Sequence, residues 1–175
     1  MHPDRRRYGA DVDLAETPLE HRAHHLAGAI YGTILATTVV AAAGGHPQAL
    51  GRTIVLVLAT SVVFWLAHVY ALELAARMVA GRPLLRSEMA HIARTEWPML
   101  QSSWPVVAAL CLAPLGVLEP YRAIDVALLV GVGALVTYGV VIGRQESSSW
   151  PHIALNGLVA GAFGLAILGL KVLVH

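Results

Sequence analysis

The chain has 175 residues, 57% of them hydrophobic and 13% charged, with a net charge of +1 and a mean hydropathy of +0.64. Soluble domains carry about 25% charged residues, so this balance excludes an ordinary soluble domain; without a basic stripe it also excludes a nucleic-acid binder. The lone cysteine, Cys111, excludes an intrachain disulfide framework.

Residues 1–18 are polar and read as a flexible tail. Next comes the stretch LEHRAHHLAGAIYGTILATTVV, in which Glu20, His21, His24 and His25 stand at the foot of a charge-free apolar run. On a helix, His21 faces His25 and Glu20 faces His24, each pair four residues apart. Imidazole with carboxylate suits divalent first-row metals such as iron, manganese, cobalt or zinc. The plainer reading is a polar helix start, with Glu20 favoured by the helix dipole. The polar lead is too long and too acidic for a cleaved signal peptide.

Five apolar segments follow at 26–43, 54–76, 104–118, 123–142 and 153–174. A hydrocarbon core of about 30 Å needs about 20 helical residues, and lipid offers no partner to an open backbone. The expected fold is therefore an all-α integral membrane protein with five transmembrane helices, a single domain over 19–175. The 104–118 segment is short, and Pro114 is expected to kink it. Arg5, Arg6, Arg7, Arg22, Arg77, Arg82, Arg86, Arg94 and Arg144 fall on one side; Arg52, Arg122 and Lys171 fall on the other. That bias puts the N-terminus in the cytoplasm and the C-terminus outside. With eleven arginines to one lysine, the coding sequence reads as GC-rich. The expected location is a bacterial inner membrane. Trp104-Pro105 and Trp150-Pro151 open the third and fifth spans, with Trp at headgroup level and Pro in the first helical turn.

In the second span, His68 falls near mid-membrane and Glu73 nearer the cytoplasm. Ionisable groups at such depth are functional candidates. Their spacing turns them about 140° apart, so they do not grip one ion from one face. Glu73 has a local partner in Arg77, while Thr37, Thr38 and Tyr138 offer His68 a hydroxyl. The loop between spans 2 and 3 is expected to hold a short amphipathic helix over 87–96, capped by Ser87. There Glu88 and His91 form an E-x-x-H pair, a weak metal signal without further carboxylates. Glu96 is rotated away from them.

Gly139 and Gly143, and Gly157 and Gly161, make GxxxG pairs suited to close helix packing, within one chain or between two. Asn156 reads as glue between helices, and Asp125 as a helix cap. No nucleophile–base pair, phosphate loop or cysteine knuckle is present, so no enzyme is expected.

Several segments resemble the vacuolar iron transporter family: AIYGTILATTVVAAAGG, LVLATSVVFWLAHVYALELAARM, PVVAALCLAPLGVLEP, GALVTYGVVIGR and GLVAGAFGLAILGL. The resemblance covers roughly residues 20–173 and implies five spans with a glutamate near the cytoplasmic end of the second, at Glu73. Positions that carry an Arg-Asp pair, an embedded Asp and a Met in that family hold Ala27, Gly28, Leu35 and Val69 here, and the acidic loop is reduced to Glu88 and Glu96. The resemblance implies a homodimer in membrane lipid that moves Fe²⁺ or Mn²⁺ out of the cytoplasm against protons. Glu20, His21, His24 and His25 would recruit the metal, and His68 and Glu73 would line the path. No firm cofactor is expected beyond a bound divalent metal, Fe²⁺, Mn²⁺ or Zn²⁺. The alternative is a relative that no longer transports and serves as a membrane scaffold or as a metal or pH sensor.

Overall fold

A computed structural model describes residues 18–43, 50–146 and 150–174, and among them every element is helical. In chain order these are α1 (Pro18–Ala42), α2 (Leu50–Ala80), α3 (Arg86–Thr95), α4 (Trp97–Gln101), α5 (Trp104–Cys111), α6 (Pro120–Glu146) and α7 (Trp150–Val174). Three of them are long and apolar enough to cross a membrane, over His24–Ala42, Leu50–Ala80 and Pro120–Gln145; Ile153–Ile167 in α7 is a shorter apolar stretch. The chain is thus an all-helical protein with the makings of a membrane protein.

α1 lies at the centre and touches α2, α4, α5, α6 and α7. Its buried face carries Thr33, Ala36, Thr37, Val40 and Ala41, all small or β-branched. The two threonine hydroxyls donate to backbone carbonyls one turn back, Thr33 to Ala29 and Thr37 to Thr33, at 2.8 and 2.7 Å. This satisfies the hydroxyls without a partner helix, so neighbours can approach closely. Val57, Val106, Leu110, Leu128 and Leu135 close the core around α1. In a lipid surround, which is as apolar as leucine, close packing of this kind rather than exclusion from water would hold such helices together.

The glycine pattern of α7 is used within the chain. A Cβ on Gly157, Gly161 or Gly164 would lie 3.3, 3.7 or 2.6 Å from Val140, Val136 or Val132 of α6. Gly157, Gly161 and Gly164 therefore seat α7 against the valine ridge of α6.

Several boundaries differ from the sequence-based expectation. The expected helix over 104–118 ends as regular α-helix at Cys111. Pro114 has no N–H to continue the ladder, and the chain tightens: Leu112 N–H donates to Ala109 and Ala113 N–H to Leu110, both at 3.3 Å. The turn closes with Gly116 N–H on Ala113 O and Val117 N–H on Leu112 O, both at 2.9 Å, with Gly116 at φ +74°. That is a Schellman ending, and the left-handed position favours glycine.

The loop helix starts at Arg86, and its N-cap is Leu85 rather than Ser87. The Glu88 carboxylate decides this. It accepts the Leu85 N–H at 2.7 Å, which a glutamate does from the third helical position. Asp125 falls in the second turn of α6, inside the helix rather than at its cap. α1 begins at Pro18, so Glu20 and His21 belong to its first turn; their side chains lie outside the described residues, as does that of Asn156.

All three Trp-Pro dipeptides open helices: α4, α5 and α7. The first was not anticipated, and it matters most. Pro98 cannot donate to the carbonyl four residues back, so α3 cannot run on through it. Glu96 N–H ends α3 on Ile92 O, and Met99 N–H then bonds Glu96 O, both at 3.1 Å. Glu96 is left at the break between two helices.

Candidate functional site: a buried carboxylate under two histidines

The break at Glu96 turns its side chain into the bundle, where it is only 3% exposed. His24 of α1 puts Nε2 2.5 Å from Oε1, and His68 of α2 puts Nε2 3.3 Å from Oε2. Where Glu96 is a carboxylate it can only accept, and His24 Nε2 then carries the hydrogen. The two imidazoles are 41% and 47% exposed and cover the acid from two different helices.

Packing fixes the acid in place. Trp97, next to Glu96, meets Trp65 of α2 edge to face with ring centroids 5.7 Å apart, a contact worth about 0.5–1.5 kcal/mol beyond its buried area. Tyr31 of α1 stands 6.3 Å from Phe64 of α2. α4 also lies against α1 so closely that a Cβ on Gly32 would overlap the Met99 carbonyl and the Ser102 hydroxyl. Glycine at this position lets α4 reach α1 and so brings Glu96 to His24. Earlier along α2, Ser61 Oγ and Trp65 Nε1 are buried with no hydrogen-bond partner among the described residues.

Two crevices flank the cluster. One, of about 320 Å³, is lined by Ala27, Gly28, Tyr31, His68 and Met99 together with His24 and Glu96. The other, of about 230 Å³, is lined by Leu72, Ala76, His91, Ile92 and Thr95, again with His24 and Glu96. A further crevice of about 300 Å³ between α1, α6 and α7, bounded by Ile30, Leu135 and Phe163, is apolar throughout and offers no chemistry.

The sequence-derived candidates divide as follows. His24 and His68 meet, through Glu96, which sequence reasoning had set aside. His91 lines the second crevice. His25 is engaged in an interaction of its own. Glu73 pairs with Arg77 one turn on, as its spacing predicts, and lines neither crevice. His68 faces Glu96 rather than the Thr37 hydroxyl, which is spent on Thr33 O. Glu88 is held by both guanidinium nitrogens of Arg82, at 3.1 and 2.7 Å, rather than joining His91. Among the described residues no three His, Cys, Asp or Glu side chains stand together in a way that could hold a metal ion. The signal for Glu96 was present: an acid directly before Trp-Pro sits at a helix break.

The Arg82 pair and the Leu85 N–H hold the Glu88 carboxyl below the usual range, and Glu88 raises Arg82. A lowered acid pKa contributes stability at pH above the ordinary carboxylate value, lost as pH falls through Glu88's own lowered pKa. Both groups are exposed, so the contribution is small. In Arg82→Gln, the Glu88 titration midpoint read by NMR should rise towards that of a free glutamate. An unchanged midpoint would show that Arg82 does not hold this acid.

No family model, curated protein or solved structure matches the chain. Fold and site together define an all-helical protein with membrane-length helices and a buried carboxylate, Glu96, under two half-exposed histidines.

Proposed function

We propose that the protein is a bacterial inner-membrane carrier that moves a divalent cation, Fe²⁺ or Mn²⁺, out of the cytoplasm in exchange for protons. The observation that carries this reading is the buried Glu96 bridged by His24 and His68. Two imidazoles and one carboxylate are a donor set for first-row divalent metals. Metal requires its ligands deprotonated, so loading the cation releases protons. Where no cation is bound, the imidazole hydrogens take its place on the acid. The centre of the path is thus His24, Glu96 and His68, and the donors must close together to bind. The unpartnered Ser61 and Trp65 groups further along α2 support a continuing polar route.

On this reading the chain crosses the bilayer five times, N-terminus inside and C-terminus outside, the orientation that the arginine distribution favours. The third crossing is α4 and α5 in series. Their ladder is bridged by Ser102 N–H on Pro98 O and Val107 N–H on Ser103 O, both at 3.0 Å. From Trp97 to Leu115 that path is about 27 Å long at about 1.5 Å per residue, close to the thickness of the hydrocarbon core. A homodimer is part of the proposal. Its contact lies away from the α7 glycines, which α6 already occupies.

A second reading is a membrane partner or sensor that does not transport. It is favoured by the Glu73–Arg77 pair and by the lack of three converging metal donors among the described residues.

Mn²⁺ and Fe²⁺ flux into proteoliposomes under an imposed pH gradient decides between them. The first reading expects flux above empty liposomes that is unchanged in Glu73→Ala, because Glu73 is engaged by Arg77 away from both crevices. Absence of flux with folded protein leaves the sensor.

A further inference from the structure

Four arginines stand between Leu72 and Glu96, and two of them are engaged within the chain. Arg77 pairs with Glu73, and Arg82 with Glu88. Arg86 and Arg94 are exposed and form no ion pair among the described residues. Both belong to α3. Met89, Ile92 and Ala93 are half-buried on its inner face, while Arg86, Ala90 and Arg94, four residues apart, run along the outer one. At the turn into α3, Met78, Val79 and Leu85 are 80%, 91% and 62% exposed. A surface both cationic and this apolar suits the interface of a membrane better than open water.

The length of α2 shows which layer this surface meets. Its 31 residues span about 46 Å, close to a bilayer with its headgroups. With Trp65, its middle residue, at mid-bilayer, Leu72 stands about 10 Å and Ala80 about 22 Å from the centre. Hydrocarbon gives way to headgroups at about 15 Å. α3 runs back beside this same stretch: Arg82 holds its Glu88, and its Ile92 and Thr95 share a crevice with Leu72 and Ala76. α3 therefore straddles the headgroup layer. An arginine there with no carboxylate partner is costly to keep unless its guanidinium meets a phosphate, which its long side chain can reach.

We propose that the outer face of α3 binds anionic phospholipid headgroups, with Arg86 and Arg94 on the phosphates and Met78, Val79 and Leu85 packed among the lipids beside them. This goes beyond the transport reading and does not depend on it; it needs only that α2 crosses a bilayer. The exposed apolar side chains select a lipid over a soluble anion, which would leave them in water. α3 buries none of its own residues and ends at Glu96, so lipid held by the two arginines also steadies the acid.

The test uses the full chain in vesicles of phosphatidylcholine and phosphatidylglycerol, in a Cys111→Ser background. Ala90→Cys, between the two arginines, carries a fluorophore. Each lipid in turn carries a nitroxide quencher on the upper part of its acyl chain, with the vesicle composition held fixed. The ratio of the two quenching signals reads the preference for phosphatidylglycerol at α3. The parent should prefer phosphatidylglycerol. Arg86→Gln or Arg94→Gln should each lower that preference about fivefold, the scale of one basic side chain at an anionic surface. The double glutamine variant should show no preference. Arg86→Lys with Arg94→Lys should retain most of it, which separates loss of charge from loss of fold. A fluorophore that neither lipid quenches would take α3 out of the headgroup layer and overturn the proposal. A preference that survives the double glutamine variant would overturn it as well. So would a preference abolished by inorganic phosphate or a polyglutamate peptide in the buffer, because the arginines would then hold a soluble anion. Metal flux is not read, so the transport reading stands or falls separately.

Discussion

Replacing Glu96 by glutamine should cut Mn²⁺ or Fe²⁺ flux by about a hundredfold while leaving the protein folded. The size is that of losing the one charged oxygen donor among two imidazoles, on the order of the 10–100-fold that removing a metal site's supporting group costs. Glutamine keeps the shape but not the charge, and a dication in a low-dielectric bundle needs that charge. Stability should change little, because two terms oppose each other. The variant loses the short His24 contact, but it no longer buries an acidic group that is only 3% exposed. Thermal unfolding alongside flux measures both. Glu96→Asp should be intermediate, since it keeps the charge but shortens the reach to His68. A glutamine variant that transports as well as the parent would remove Glu96 from the path, and the proposed mechanism with it.

Gly32→Ala should destabilise the fold by about 3 kcal/mol, at the upper end of overpacking costs. The added methyl would overlap the backbone carbonyl of Met99 and the Ser102 hydroxyl. A side chain can rotate away, but a carbonyl fixed in α4 cannot, so α4 as a whole must move. Glu96 is the N-cap of that helix, so displacement should also lengthen the His24–Glu96 contact and lower flux. Gly133→Ala is the matched control. A Cβ there meets nothing within 4 Å, and alanine in a helix interior is worth about 0.5–1 kcal/mol over glycine. Opposite signs of the unfolding shift in the two variants would confirm that packing, not helix propensity, sets the role of Gly32. A neutral Gly32→Ala would mean that α1 and α4 are not held in this contact.

Much of the architecture could be read from the chain. Long apolar runs with few charges become α1, α2, α6 and most of α7 because a helix satisfies its own backbone polarity. Glu73 pairs with Arg77 because four residues is one helical turn. Such features depend on neighbours in sequence, and local periodicity reports them. The third segment was legible only in part. Pro114 marked the break, but the Schellman ending at Gly116 depends on hydrogen bonds that composition does not display.

The site was less legible, for a physical reason. His24 and His68 stood out as imidazoles at or within apolar runs, but the acid that joins them is 72 residues from His24 along the chain. Its position results from Pro98 breaking one helix and Gly32 admitting the next. By itself, the sequence determined that the chain is helical, where its apolar segments lie and which residues are chemically able. Only the tertiary structure decided which of them meet. Glu96 was chosen over Glu73 and Glu88 because those two already had a guanidinium within a few residues. Glu96 was carried instead into the bundle, where the partners within reach were two histidines from other helices.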